Sequence, residues 1–371
     1  MRLAINGWRL RTKTGVARVL LNVLRHWSPE FVAHRFEAIT IYSPVELSAK
    51  LPIPPSIGRR VVGPDWPMLA WENTHLASVV HEDVLLCPSY SRPLWTSART
   101  VSLIYEATQK LFPEYYPLTA RFVHTPLYGW SARHSTIVVT NTEQARADII
   151  EAYGASPEKV RVVPLAPADV FHTKHGTQRI AEVRDKYAGG GAPYFLYVGK
   201  LTARRNAPRI VEGLAAMKRG SPAPHKLVIV GLNTANIDLA GLAARLGVAD
   251  DVIHHTFVSD DDLAPLYGGA EAFVLPYSYE SAASLTLLEA QAAGVPVITT
   301  DTPGLRQVAG EAALFLPDVE VSTIAEAMAR IATDAALRES LARRGVENAA
   351  SYSWRRSSQQ MLDILHEAGG R

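Results

Sequence analysis

Two stretches in the C-terminal half place residues able to hold a charged ligand at the ends of apolar runs. The first, Tyr197-Val-Gly199-Lys200-Leu-Thr-Ala-Arg204-Arg205-Asn206, leaves a strand through glycine, presents cations and enters a helix. Glycine allows close backbone approach, the helix start near Ala207 offers unpaired N–H groups, and Lys and Arg neutralise oxyanions; the combination suits a diphosphate. The second is Leu275-Pro-Tyr-Ser-Tyr-Glu280-Ser281-Ala-Ala-Ser284-Leu285-Thr286-Leu-Leu-Glu289. Here a strand ends, a loop carries Glu280, and a helix carries Glu289 in its second turn. Small residues from Ser281 to Ser284 let backbone amides approach an anion, and Glu289 can accept from paired hydroxyls such as those of a ribose. The bland alternatives are a solvated basic turn and a solvated helix glutamate. Two such stretches at successive sheet ends of one domain shift the balance towards a ligand site.

Elements that could position these residues alternate along the whole chain. Residues 3–6 form a short apolar strand, followed by a polar loop from Trp8 to Thr14, Gly15, and an amphipathic helix over about 16–26. Further strand candidates lie at 36–41, 84–87, 101–104, 136–140 and 160–163. After a looser polar stretch, a second series runs over 194–198, 226–230, 252–257, 272–275, 295–299 and 313–316. Helices are expected at 207–218, 263–268 and 284–293 between them. The pattern predicts an α/β fold of two Rossmann-like, doubly wound domains facing each other across a cleft. Boundaries are placed at 1–170 for the first domain, 171–191 for a linker region, 192–354 for the second, and 355–371 for a C-terminal helix that crosses back to the first.

A chain of 371 residues, 47% hydrophobic and 20% charged, fits two folded domains and excludes a disordered or fibrous protein. The lone cysteine, Cys87, cannot form an internal disulfide, and neither a signal peptide nor a run of about 20 apolar residues stands out; the expectation is a cytoplasmic protein. Residues 1–60 hold ten Lys/Arg against three Asp/Glu. That excess is either a solvated face or an attraction to a phosphorylated acceptor or the inner membrane face, which would give peripheral contact. No nucleic-acid motif accompanies it, so no nucleic-acid partner is expected.

The chain resembles a retaining glycosyltransferase of family four, with the GT-B fold. The likeness is best over 194–354. It takes in the turn at Gly199, Val258-Ser-Asp-Asp-Asp-Leu263, Leu266-Tyr-Gly-Gly-Ala-Glu-Ala-Phe-Val-Leu-Pro276, the Glu289 helix, Pro303-Gly304-Leu305 and Tyr352-Ser-Trp354. Gly15-Val-Ala-Arg18, Thr140-Asn-Thr-Glu143 and Val162-Val-Pro-Leu-Ala166 are looser matches in the first half. The resemblance implies a donor nucleoside diphosphate-sugar, first GDP-mannose or a related GDP-hexose, and a glycan or lipid-linked acceptor. It further implies retention of configuration, no cofactor and no metal.

By the same resemblance Lys200 and Arg205 grip the donor diphosphate, with charges kept and identities exchanged, and Asn206 follows them. Gly15 and Gly199 admit the phosphates, and Ser281, Ser284, Leu285 and Thr286 line the donor. Base recognition falls near Val258. Glu289 grips the ribose and Glu280 lies near the sugar, although the two enclose eight residues where the family has seven. Anchoring on Glu289 puts Ser281 at the first glutamate's position, unless a one-residue bulge restores Glu280. Tyr105-Glu106 stands where relatives have a strand ending in His-Asp, and Tyr105 can still donate one hydrogen bond to the donor sugar. Arg9, Arg11 and Lys13 are the candidates for an anionic acceptor. Asp260-Asp-Asp262 reads as a helix start rather than a metal site. A sugar-nucleotide 2-epimerase is a minor alternative, and the rival of another class is a non-catalytic nucleotide-sugar-binding or scaffold protein with a degenerate active site.

Overall fold

The computed structural model describes residues 1–12, 14–220 and 223–370. Two compact units emerge, Met1–Leu165 with Ser353–Arg371, and Ala166–Tyr352. In the first, β1 (Arg2–Asn6), β2 (Ala38–Ser43), β3 (Gly58–Val61), β4 (Val84–Cys87), β5 (Arg99–Leu103), β6 (Ile137–Thr140) and β7 (Val160–Val162) lie in the order β3-β2-β1-β4-β5-β6-β7. The pairings are parallel, and the central strands are near-continuous apolar runs because helices cover both faces. Strand order reverses between β1 and β4, which is where such sheets open a crevice at their carboxyl ends.

β3 is the strand that the sequence pattern hid. Gly58-Arg-Arg-Val61 is exposed along its length, so it has neither an apolar run nor a buried alternation to betray it. Its arginines blunt the free edge of the sheet. α1 (Gly15–Arg25) buries Ala17, Val19, Leu20, Val23 and Leu24 at helical spacing. α2 (68–79) and α3 (118–134) each contain a π-helical turn, at Glu72–Leu76 and Ala120–His124. α4 (Glu143–Tyr153) begins where the Thr142 hydroxyl accepts from the Ala145 N–H at 2.9 Å.

In the second unit β8 (Tyr194–Val198), β9 (Lys226–Val230), β10 (Val252–His255), β11 (Ala272–Leu275), β12 (Val297–Thr300) and β13 (Leu314–Leu316) form a parallel sheet in the order β10-β9-β8-β11-β12-β13. Here the order reverses between β8 and β11. The stretch read as a linker carries α5 (Thr177–Ala188), and α6 (Ala207–Gly220) follows β8. Asp262 lies on α7 (Asp260–Gly268), accepts from Lys186 Nζ and the Tyr187 hydroxyl at 2.8 Å each, and pairs with Arg179. These donors hold its carboxyl well below the usual range and fasten α5 to α7. The acidic run thus starts a helix, as its sequence suggests, and also clamps another.

α8 (Leu285–Ala292), α9 (Pro303–Ala309), α10 (Val321–Thr333) and α11 (Ala335–Ala350) complete this unit. α12 (Trp354–Gly370) packs with α1, β4 and β5 of the first. Trp27 Nε1 donates to the Ser358 carbonyl at 3.2 Å, and the Ser357 hydroxyl donates to the Pro164 carbonyl at 2.6 Å. Among the described residues no helix is long and apolar enough to cross a membrane.

Candidate functional site

β8 is followed by Gly199, whose N–H donates to the Val230 carbonyl at 2.8 Å. Gly231, at φ +153°, lies so close to Gly199 that a Cβ there would run into the Gly199 carbonyl, so the carboxyl ends of β8 and β9 share one tight floor. From it the chain makes a short 3-10 turn, Ala203–Arg205, closed by Asn206 in the left-handed region at φ +54°. Asn206 tolerates that conformation, and its Nδ2 donates to the Pro276 carbonyl and the Ser278 hydroxyl, each at 2.8 Å. The turn is therefore tied to the loop after β11.

The cations divide three ways. Lys200 is exposed. The Arg205 guanidinium lies 5.0 Å from the Tyr277 ring centroid and packs beside Gly199. Arg204 is buried, and its Nη1 donates to the Tyr279 carbonyl at 2.6 Å and to Glu280 Oε2 at 3.1 Å. The sequence reading gave Arg204 no role of its own, yet it is the residue that carries the turn's charge to the acidic loop. Its place in a run of three cations is the only signal that could have found it.

Glu280 is itself buried, as are Ser281 and Ser284. Gly304 allows this, because a Cβ there would strike the Glu280 carbonyl and Ser281 Cα. The Ser284 hydroxyl lies 3.2 Å from that of Thr286 and does not cap α8, so it leaves the first N–H groups of Leu285 and Thr286 to other partners. Glu289 is 1% exposed, with its Oε2 accepting from the Tyr267 hydroxyl at 3.4 Å. It faces α7 in this conformation. Val258, after β10, is buried.

In the first unit Tyr105 follows β5. Its hydroxyl is buried without a hydrogen-bond partner, its ring stands edge-on to Tyr90 at 5.6 Å, and burial pushes its pKa well up. Glu106 lies beside it, half-buried. Arg9 Nε donates to the Ser89 hydroxyl at 2.8 Å, while Arg11 pairs with Asp65 and lies over Trp8. Lys13 falls outside the described residues. Gly15 opens α1 with nothing within 4 Å of where a Cβ would stand. The structure also shows a residue that sequence reasoning missed, Glu72, wholly buried and bonded to Asn6 at the end of β1.

The family of glycosyl transferases group 1 matches residues 179–348, which hold both the Gly199–Asn206 turn and the Glu280–Glu289 loop. O-antigen chain mannosyltransferase B of Escherichia coli is 24% identical over 267 residues, 71% of this chain and 69% of that protein. Alpha-D-kanosaminyltransferase of Streptomyces kanamyceticus is 27% identical over 255 residues, 67% of this chain and 65% of that one. For the D-inositol 3-phosphate glycosyltransferase of Actinosynnema mirum, 30% identical over 242 residues and 62% of this chain, the share is 57%. The chain thus spans little more than half to about two thirds of these relatives. The crystal structure of Alr3699/HepE of Anabaena, in complex with UDP and glucose, superposes with a TM-score of 0.77 over 99% of this chain and 100% of that one, at 15% identity. Two parallel-sheet Rossmann-like units with this neighbour show the GT-B fold. Over residues 179–348 the chain is similar to the glycosyl transferases group 1 family.

Proposed function

We propose that this chain transfers a hexose from a nucleoside diphosphate-sugar to a hydroxyl of a glycan or lipid-linked acceptor, with retention and without a divalent cation. The observation that carries the reading is the buried Arg204–Glu280 contact, which joins the basic turn after β8 to the acidic loop after β11 at the switch point of one sheet. Lys200 and Arg205 hold the diphosphate and stabilise the charge that develops on it as it leaves. Amides of Leu285 and Thr286 at the start of α8 supply neutral donors, and Glu289 takes the ribose hydroxyls. Unit 1 takes the acceptor through the Trp8–Arg11 turn. GDP-mannose is the first donor to try, on the strength of the mannosyltransferase relative, and UDP-glucose the second, on that of the UDP complex.

The test is incubation with each nucleotide sugar in EDTA, following release of nucleoside diphosphate and the anomeric configuration of the product by NMR. Inverted product would remove retention, and activity lost to EDTA would remove metal independence. One observation favours a second reading, a non-catalytic nucleotide-sugar binder: the Tyr105 hydroxyl faces the interior of its unit. Nucleotide binding without release under any donor would select that reading.

The proposed setting is the cytoplasm, with peripheral contact at the membrane. Phe122 and Leu118 on α3 are 75% and 66% exposed, and Arg121 lies between them in sequence, a pairing of apolar and cationic groups that suits an anionic lipid surface. Co-sedimentation with phosphatidylglycerol vesicles, lost in Phe122→Ser, would support it; equal binding by the variant would not.

A further inference from the structure

Glu72 sits in the π-helical turn of α2, fully buried, against the carboxyl ends of β1 and β4 where the strand order reverses. Its Oε2 accepts from Asn6 Nδ2 at 2.8 Å, and Asn6 Oδ1 in turn accepts the Trp8 N–H at 3.1 Å. One carboxyl therefore orients the amide that shapes the turn Trp8–Arg11. Arg9 in that turn donates to Ser89, and Ser89 and Ser91 flank Tyr90, a non-glycine residue held at φ +66°. Such backbone persists only where its surroundings enforce it, and it clusters at functional sites. Glu72 Oε1 and the Ser91 hydroxyl are buried without a partner in bonding geometry, although the hydroxyl is near enough to favour the carboxylate.

We propose that Glu72 is a positioning residue for the Trp8–Arg11 turn, acting through Asn6 and through the charge it presents to Arg9, so that the turn changes its set when this carboxyl gains a proton. The proton comes from solvent and occupies Oε1, the oxygen that Asn6 leaves open. Burial drives the carboxyl up to about 7, against the pull of Ser91, Asn6, Arg92 and Arg9, so the change falls near neutrality. Cys87 on β4 and Tyr128 on α3 also face this charge, and both are pushed up, chiefly by burial. His75, on α2 itself, stacks edge-on against Trp66, whose carbonyl accepts from Trp8 Nε1. The role in acceptor binding rests on the reading that unit 1 takes the acceptor; the coupling itself does not.

The experiment follows the Trp8 backbone amide by NMR in the full chain, labelled with 15N-tryptophan and assigned with Trp8→Phe, from about pH 5 to about pH 9. The wild-type resonance should move with one midpoint near neutrality. Glu72→Gln, which can still accept from Asn6, should flatten the titration. Arg9→Gln should raise the midpoint, because a cation that favours the carboxylate has gone. A flat wild-type resonance would overturn the proposal, as would a titration that survives Glu72→Gln and disappears in His75→Gln. If Glu72→Gln does not fold, an unmoved midpoint in Arg9→Gln overturns it alone. Nucleotide binding by unit 2 is measured separately, so a flat resonance beside intact nucleotide binding sinks this inference and leaves the transferase reading standing.

Discussion

Replacing Arg204 by Ala removes the cation from a carboxylate that has little access to water. Arg204 and Glu280 are 6% and 5% exposed and 3.1 Å apart, and the same nitrogen donates to the Tyr279 carbonyl. Losing one partner of a buried pair of this kind costs up to about 3–5 kcal/mol, and Arg205, whose charge also acts on Glu280, holds the loss towards the lower end of that range. Two units need not unfold together, so the readout must be local: hydrogen exchange of the β8 and β11 amides under native conditions. The sign of the pH dependence follows. Taking away the Arg204 cation favours the protonated Glu280 carboxyl over its carboxylate, so the variant falls further behind wild type as pH rises and the carboxylate forms. The deficit against wild type should therefore be larger at about pH 8 than at about pH 5. Adding Glu280→Gln should recover part of it by removing the charge. A loss under about 1 kcal/mol at the higher pH, or a deficit that ignores pH, would refute the argument that this pair is a desolvated structural link.

Glu289→Ala should weaken binding of ribonucleoside diphosphates by roughly tenfold to a hundredfold, the value of a charged hydrogen bond, and leave deoxyribose analogues nearly unchanged. Isothermal titration of both series checks it, and equal losses would remove the ribose role. Tyr105→Phe deletes a hydroxyl that is buried without a partner, so it should leave stability within about 1 kcal/mol of wild type or improve it. If that hydroxyl turns to the donor sugar during transfer, turnover should fall while binding of the bare nucleoside diphosphate holds. Glu72 has its pKa raised from 4.5 to about 7, so its burial as a carboxylate subtracts about 3 kcal/mol from unit 1 at high pH. That penalty is absent below the unfolded value and complete above the folded one. Glu72→Gln should gain stability on wild type between pH 5 and 8, read by exchange of the β1 and β4 amides.

Sequence pattern showed the two sheets because their strands are buried on both faces and so read as plain apolar runs. β8, β9 and β11 fall where 194–198, 226–230 and 272–275 were expected. β3 escaped because an exposed edge strand has no such run. The same logic divides the site. The Gly199–Asn206 turn is legible because glycine, cations and a helix start are contiguous. Arg204 looked like its neighbours, and only the fold shows that it turns inward to Glu280 while Lys200 turns outward. Glu72 was invisible for a related reason. A glutamate within an apolar helix carries no mark of the Asn6 amide 66 residues before it that makes its burial tolerable.

In the proposed function, unit 2 holds a nucleoside diphosphate on the turn after β8 without help from a metal. A ligand that binds only the folded state at about a hundredfold over its Kd adds about 2.7 kcal/mol, which a thermal melt resolves easily. The decisive measurement is the melting temperature with GDP, UDP, ADP and their sugars, each with and without EDTA, for the wild-type chain and Arg205→Ala. A selective rise with one base, insensitive to EDTA and much reduced in the variant, is expected. No rise with any nucleotide, or a rise abolished by EDTA and unchanged in Arg205→Ala, would contradict it.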